Sequence, residues 1–90
     1  MRVTLICIDK PGALQTRLDT REAHLAHIAT SGVVEMAGPF LDEAGAMTGS
    51  LIILTVGSLD EARAWAAADP YAKAGLFQSV AIREWKKVIG

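Results

Sequence analysis

The sequence predicts an α+β protein with a ferredoxin-like order of elements, βαββαβ. Four segments are rich in β-branched and aliphatic residues and are bounded by turn residues, which indicates strands. Two segments of good helix formers lie between strands and begin at capping-box spacings. The 90 residues leave room for one domain, spanning 1–90, because typical domains have about 100 to 150 residues. We therefore expect an antiparallel sheet with two helices on one face.

The first strand and the first helix are predicted in the N-terminal third. Residues 2–8 (RVTLICI) form the first strand, and a turn sequence follows them. Asp19, with an acidic residue three positions later, has capping-box spacing and predicts a helix over 20–31. Gly32 suits the end of this helix. Segment 14–18 is compatible with either a separate helical turn or a loop.

Two strands separated by a short loop follow. Residues 33–40 predict the second strand, in which Gly38-Pro39 either ends the strand or lies at a sheet edge, because proline has no N–H for the ladder. Small and polar residues over 42–48 indicate a loop. Residues 49–56 (GSLIILTV) are the most apolar segment and predict a central strand.

The C-terminal third predicts a helix and a last strand. Ser58 and the glutamate three positions later form a capping box, so the second helix begins there and continues to about Ala68. Pro70 disfavours helical geometry at the residue before it. An irregular stretch over 70–76 then leads to the fourth strand, 77–85.

The first and third strands are apolar on both faces, whereas the two helices cover only one face of the sheet. One face presents Leu51, Ile53 and Thr55, and the other presents Ile52, Leu54 and Val56. A chain this short also buries only about 60 to 65% of its unfolded surface. We therefore expect a second copy, sheet against sheet, in a homodimer of the dimeric α+β barrel type or in a higher homo-oligomer. The large aromatic residues are expected in the core or at this interface: Trp65, Tyr71, Phe77 and Trp85.

Composition excludes several classes of partner and site. Nine basic and ten acidic residues give a net charge of −1, and they are scattered, so neither a nucleic acid nor a membrane is an expected partner. A single cysteine excludes an intrachain disulfide, and no cysteine/histidine array indicates zinc. Too few apolar residues precede Asp9 for a signal peptide. The expected compartment is the cytoplasm.

The two histidines are the residues most suited to proton transfer near neutral pH. On a helical projection, the apolar stripe of the first helix is set by Leu25, Ile28 and Ala29. Its centre lies about 80° from His24 and about 140° from His27. His24 is therefore predicted at the border of the buried face, where it is a candidate general acid/base or a packing histidine. His27 is predicted to face solvent, and no third ligand accompanies the pair, so no metal site is predicted.

Arg21 and Asp69 are candidates for the same site. Arg21 is predicted near the centre of the apolar stripe, where it meets an anionic substrate, pairs with a buried carboxylate or extends to solvent. Asp69 either forms a structural Asp-Pro turn or orients the imidazole of His24.

Two dipeptides and the single cysteine are of further interest. Gly38-Pro39 and Gly49-Ser50 flank the predicted loop, where exposed backbone N–H groups could bind an oxyanion. Neither stretch has the spacing of a nucleotide-binding loop. Cys7 lies in an apolar strand and is predicted to be a core residue rather than a nucleophile.

Five motifs in combination resemble the YciI-like (YCII-related) proteins: R-x-x-H-L at 21–25, A-G-P at 37–39, G-S at 49–50, S-L-x-E-A at 58–62 and W-A-x-A-D-P-Y-x-x-A-G at 65–75. This resemblance implies a dimeric α+β barrel with a catalytic His-Asp pair, which falls on His24 and Asp69. It assigns ligand binding in the same cleft to Arg21, Gly38, Pro39, Ser50 and Tyr71.

The resemblance also implies a class of activity. A lyase, isomerase or dehydrochlorinase step on a small polar or aromatic metabolite, without a cofactor, is expected, and the alternative is a non-catalytic small-molecule-binding protein. Two features depart from the family pattern. Glu22 stands where some relatives have proline, and the loop between the second and third strands is short, which leaves the substrate class open.

Overall fold

A computed structural model describes residues 1–90 and confirms the ferredoxin-like α+β fold. The four strands form one antiparallel sheet in the order β2-β3-β1-β4, with three helices rather than the two predicted. The elements are β1 (Arg2–Asp9), α1 (Leu14–Ser31), β2 (Val34–Leu41), β3 (Met47–Thr55), α2 (Leu59–Ala68), α3 (Pro70–Lys73) and β4 (Phe77–Trp85). No helix is both long enough and apolar enough to cross a membrane.

Helix α1 begins six residues earlier than the predicted start at Thr20. Its N-cap is Ala13, which provides no side-chain cap, and Asp19 accepts a hydrogen bond from Gln15 within the helix rather than capping it. The capping-box spacing was misleading because good helix formers continue upstream of it. Gly32, with a φ of 67°, ends the helix as predicted.

The N-cap of α2 at Ser58 is confirmed, although the reciprocal bond of Glu61 goes to the residue before the cap, and the segment after α2 is more regular than predicted. Ser58 accepts a hydrogen bond from the backbone N–H of Glu61, whose carboxylate accepts one from Gly57. Pro70 occupies the first turn of the short helix α3, where its missing N–H costs nothing. The stretch predicted to be irregular therefore contains a helical turn.

Strands β2 and β3 form a longer hairpin than predicted. Strand β2 is an edge strand that continues through Gly38-Pro39 to Leu41, so of the two alternatives the edge position is correct. Strand β3 begins at Met47 rather than Gly49, and it lies in the middle of the sheet, as predicted.

The two faces of the sheet differ in their cover. The helix-covered face holds the core, with these strand residues at most 1% exposed: Val3, Leu5, Cys7, Ile52 and Leu54. The open face also carries apolar side chains, as the apolar pattern predicted. Ile6 is 38% exposed and Ile8 is 43% exposed, and they pair with Leu51 and Gly49 of β3.

Candidate active site

The structure brings His24 of α1 and Asp69 together in the interior. His24 Nδ1 lies 2.8 Å from Asp69 Oδ1, and their side chains are only 7% and 2% exposed. A carboxylate only accepts hydrogen bonds, so Nδ1 carries the proton. Nε2 is then the ring nitrogen left for a ligand, and no protein group is found bonded to it. The pairing fixes both the orientation and the tautomer of the imidazole.

Asp69 is positioned by the junction of α2 and α3. Pro70 restricts the backbone of the residue before it, and Asp69 is accordingly extended, with φ −61° and ψ 125°. Its Oδ1 also accepts the backbone N–H of Tyr71 at 3.0 Å, which caps α3. The same carboxylate oxygen therefore caps α3 and accepts the hydrogen bond from His24.

Tyr71 forms one wall of the site. Its ring stacks on His24 at a centroid distance of 3.9 Å and an interplanar angle of 15°, and Phe77 contacts it edge-on. Burial raises the pKa of the Tyr71 phenol, while the positive charges of Arg17 and Arg21 act in the opposite direction. The phenol therefore stays protonated at neutral pH and can donate a hydrogen bond.

A second buried pair, not predicted from the sequence, adjoins the first. Arg17 Nε and Nη2 donate to the two oxygens of Asp9 at 2.7 and 2.8 Å, and Nη2 also donates to Ser50 Oγ at 2.9 Å. The side chains of Arg17 and Asp9 are 3% and 6% exposed. Burial lowers the pKa of Arg17, but the hydrogen bond and charge of Asp9, together with smaller contributions from Tyr71, outweigh burial, so the pKa is raised. The guanidinium is permanently charged and held in a fixed orientation.

A cavity of about 390 Å³ lies between α1 and the β2–β3 hairpin. The polar lining includes Arg17, Arg21, His24, Ser50 and Tyr71. The apolar lining is formed by Leu25, Ile28, Val34, Met36, Ala37, Pro39, Met47 and Ile52. The volume and the mixed lining are typical of a small-molecule site. Gly38 also lies on the wall. Six of the seven predicted site residues therefore line the cavity. The seventh, Asp69, is hydrogen-bonded to His24 and does not line it.

The predicted phase of α1 is partly wrong. Leu25 is 43% exposed and Arg21 is exposed at the cavity, so neither lies at the centre of a buried stripe. Arg17 and His24 are the buried residues of the helix, since buried carboxylates satisfy their polar groups. His24 is therefore more deeply buried than the border position predicted.

The prediction that His27 faces solvent is wrong. It is half-buried, its ring packs on Trp65 at 4.5 Å between centroids, and its Nε2 lies 3.2 Å from the Trp65 carbonyl oxygen. His27 therefore contacts α2 on the side of α1 that does not line the cavity.

The predicted backbone oxyanion site is not formed by exposed loop residues. Gly38 pairs with Leu51 and Pro39 with Ser50, inside the β2–β3 ladder. The Ser50 hydroxyl instead accepts a hydrogen bond from Arg17. Cys7 is buried in the core as predicted, and burial raises the pKa of its thiol to about 12, so it is not a nucleophile near neutral pH.

Comparisons with known proteins agree with this geometry. The YCII-related domain matches residues 1–86. The chain is 40% identical over 89 residues to Protein YciI of Escherichia coli O6:H1, covering 89% of this chain and 91% of that protein. It is 37% identical to an uncharacterized protein of Haemophilus influenzae, covering 98% of this chain and 99% of that protein.

Solved structures place the fold among the dimeric α+β barrel proteins. The 5-chloro-2-hydroxyhydroquinone dehydrochlorinase TftG from Burkholderia phenoliruptrix AC1100, in complex with 2,5-dihydroxybenzoquinone, superposes with a TM-score of 0.87 at 35% identity. The alignment covers 96% of this chain and 94% of that one. An antibiotic biosynthesis monooxygenase has a TM-score of 0.57 at 11% identity, covering 96% and 98% of the two chains, and shares the fold alone. The domain match over residues 1–86 and the identity to Protein YciI show that this chain belongs to the YCII-related family.

Proposed function

We propose that the protein is a cofactor-independent acid/base enzyme that catalyses a lyase or isomerase step on a small hydroxylated aromatic or enolisable molecule. The observation that carries this proposal is the buried His24–Asp69 pair, in which His24 Nδ1 lies 2.8 Å from Asp69 Oδ1. Nε2 is the atom left for substrate. A fixed imidazole beside a cavity is what a general base requires.

The pair supports a simple proton-transfer mechanism. His24 Nε2 removes a proton from the substrate, and the resulting imidazolium is stabilised by the adjacent Asp69 carboxylate. The proton then returns to a different substrate atom in an isomerisation, or passes to the medium as a leaving group departs in a lyase step. A positioned base of this kind contributes about 10² to 10⁴-fold to the rate.

The lining of the cavity supports a small anionic or polar aromatic ligand. Arg21 has no ion-pair partner within the protein and lies at the cavity wall, so it supplies an uncompensated positive charge. Glu35 also lines the cavity, but Arg2 neutralises it. The ligand named with TftG, 2,5-dihydroxybenzoquinone, is a small polar ring of this class.

We propose further that a second copy covers the open sheet face in a homodimer. Apolar side chains remain exposed there: Ile6 is 38% exposed, although it lies in β1, one of the two inner strands of the sheet. A facing sheet would bury these apolar groups, and removal of apolar surface from water favours association.

Two probes test the enzymatic proposal. Release of chloride from 5-chloro-2-hydroxyhydroquinone reports turnover, and calorimetric titration with 2,5-dihydroxybenzoquinone reports binding. We expect His24→Gln to abolish turnover while retaining binding, and His27→Gln, the matched control, to leave both unchanged. Turnover unaffected by His24→Gln would overturn the assignment of the base. Binding without turnover in the unaltered protein would instead support the non-catalytic ligand-binding alternative.

A further inference from the structure

The C-terminal tail after β4, residues 86–90, carries the most exposed large apolar side chains of the chain. Val88 is 82% exposed and Ile89 is 91% exposed, and neither belongs to a helix or a strand. Their exposure shows that they do not pack on their own sheet. Burial of one branched aliphatic side chain is worth about 10- to 100-fold in an equilibrium constant, so two adjacent ones favour a docked state of the tail.

An apolar recess of about 320 Å³ lies along the edge strand β2. Leu51 of β3 lines it and pairs with Gly38 on one side and with Ile6 of the open face on the other, which assigns the recess to the open face. Residues 36–39 line both this recess and the cavity beside His24. One stretch of β2 is therefore a wall of both. The recess is lined by Met36, Ala37, Gly38, Pro39, Phe40 and Leu51.

The tail leaves the sheet at the end where β2 begins. Trp85, the last residue of β4, pairs with Arg2, which also pairs with Thr55 at the end of β3. Val34, the first residue of β2, pairs with the neighbouring Leu54. The start of the tail and the start of β2 are therefore at the same end of the sheet but at opposite edges.

A second copy brings the tail of one chain to the recess of the other. When two facing sheets are related by a two-fold axis parallel to their strands, β4 of each lies over β2 of its partner, because β4 and β2 are the two edges of the sheet. Facing sheets lie about 10 Å apart. Five extended residues span up to about 17 Å, so the tail is long enough to cross this gap.

We propose that the C-terminal tail of one protomer docks through Val88 and Ile89 into the β2 recess of its partner and supports the wall of the partner's ligand cavity. This inference rests on the proposed homodimer, in which the open faces meet. Strand β2 pairs with one strand only, so the partner's tail supplies support that an inner strand receives from a second neighbour. The ligand cavity is thus completed only in the dimer.

Disulfide cross-linking tests the docking directly. Chains carrying Ile89→Cys and Phe40→Cys are co-expressed and oxidised with diamide, and the mass of the product is measured under denaturing conditions. We expect a cross-link between the two chains. Ile89→Cys with Leu18→Cys, on α1, is the control and should give none. No cross-link to Phe40→Cys, or a cross-link within a single chain that carries both cysteines, would overturn the proposal.

Removal of the apolar groups of the tail tests its role in the cavity. Val88→Ser/Ile89→Ser should raise the dissociation constant of the homodimer by about 10-fold or more, measured by sedimentation. Calorimetric binding of 2,5-dihydroxybenzoquinone should weaken at protein concentrations where these chains have dissociated. Lys86→Ser/Lys87→Ser, a change of the same size in the same tail, is the matched control and should leave both unchanged.

The outcomes separate this inference from the proposals on which it rests. A dimer of unchanged stability in Val88→Ser/Ile89→Ser would overturn the docking alone. A weakened dimer with unchanged binding of the quinone would overturn the support of the cavity wall. If the unaltered protein is monomeric, the proposed homodimer fails as well, whereas the role of His24 stands. If the quinone does not bind the unaltered protein, the proposed function fails, and the cross-link and the dimer mass still decide the docking.

Discussion

Asp69 Oδ1 accepts two hydrogen bonds, from His24 Nδ1 at 2.8 Å and from the backbone N–H of Tyr71 at 3.0 Å. The first bond orients the imidazole, and the second closes the turn between α2 and α3. The oxygen atom that caps the start of α3 therefore also orients His24, the proposed base. Substitutions that keep the cap but alter the charge can separate these two roles.

Asp69→Asn should reduce turnover strongly with a small effect on folding. The amide oxygen still accepts from the Tyr71 N–H, so α3 keeps its cap, but a neutral amide does not stabilise the imidazolium of His24. We expect turnover to fall by up to about 10² to 10⁴-fold, measured as chloride release, with a nearly unchanged melting temperature. Asp60→Asn, at a side chain that is 92% exposed, is the matched control. Full activity in Asp69→Asn would contradict the role of the carboxylate.

Breaking the buried Arg17–Asp9 pair should destabilise the fold. Asp9→Ala leaves a charged guanidinium buried at 3% exposure, and removal of one partner of such a pair costs about 3 to 5 kcal/mol. The double variant Asp9→Leu/Arg17→Met should recover most of that loss, because no charge then remains buried. Urea unfolding gives the three free energies. Glu35→Ala, which breaks the exposed pair with Arg2, should have a smaller effect than Asp9→Ala, and a double variant no more stable than Asp9→Ala would contradict this account.

Cys7 should make the stability of the protein fall in alkaline solution. The pKa of its thiol is raised from 9.0 to about 12 in the folded protein, so the unfolded chain loses this proton first. The stabilising contribution is therefore complete below pH 9 and is lost as the pH rises from 9 towards 12. The expected slope is about 1.4 kcal/mol per pH unit. Subtracting the pH dependence of Cys7→Ala isolates this slope from that of Tyr71, and identical pH profiles for the two proteins would contradict the prediction.

The fold was predictable because its signals are local, whereas the buried Arg17–Asp9 pair beside the site was not. Pro70 indicated that Asp69, the residue before it, would leave helical geometry. The helical projection placed His24 at the border of the buried face. The pairing of Arg17 with Asp9 depends on where α1 begins. An uncapped start at Leu14 gave no local signal, so the phase of the helix and its buried arginine were missed. The seven-residue spacing of Arg17 and His24 is the pattern that could have indicated them.

Gly49→Ala should destabilise the protein more than Gly38→Ala. A Cβ atom on Gly49 would overlap the backbone carbonyl oxygen of Cys7, whereas one on Gly38 would meet nothing within 4 Å. The backbone of β1 must therefore move to accommodate the first substitution, at a cost of about 1 to 3 kcal/mol by analogy with overpacked cores. Thermal unfolding of the two variants provides the comparison. Equal melting temperatures would show that the strands separate more easily than this packing implies.

Ile6→Glu should abolish the proposed homodimer without unfolding the single chain. Ile6 is 38% exposed on the open face, so a glutamate there reaches solvent in a monomer, but a facing sheet would bury its charge without a partner. Sedimentation velocity at micromolar concentration should give the mass of two chains for the unaltered protein and of one chain for Ile6→Glu. Leu18→Glu, at a position on α1 that is 47% exposed, makes the same type of change away from the sheet and should remain dimeric. A dimer that persists in Ile6→Glu and dissociates in Leu18→Glu would place the interface on the helices instead.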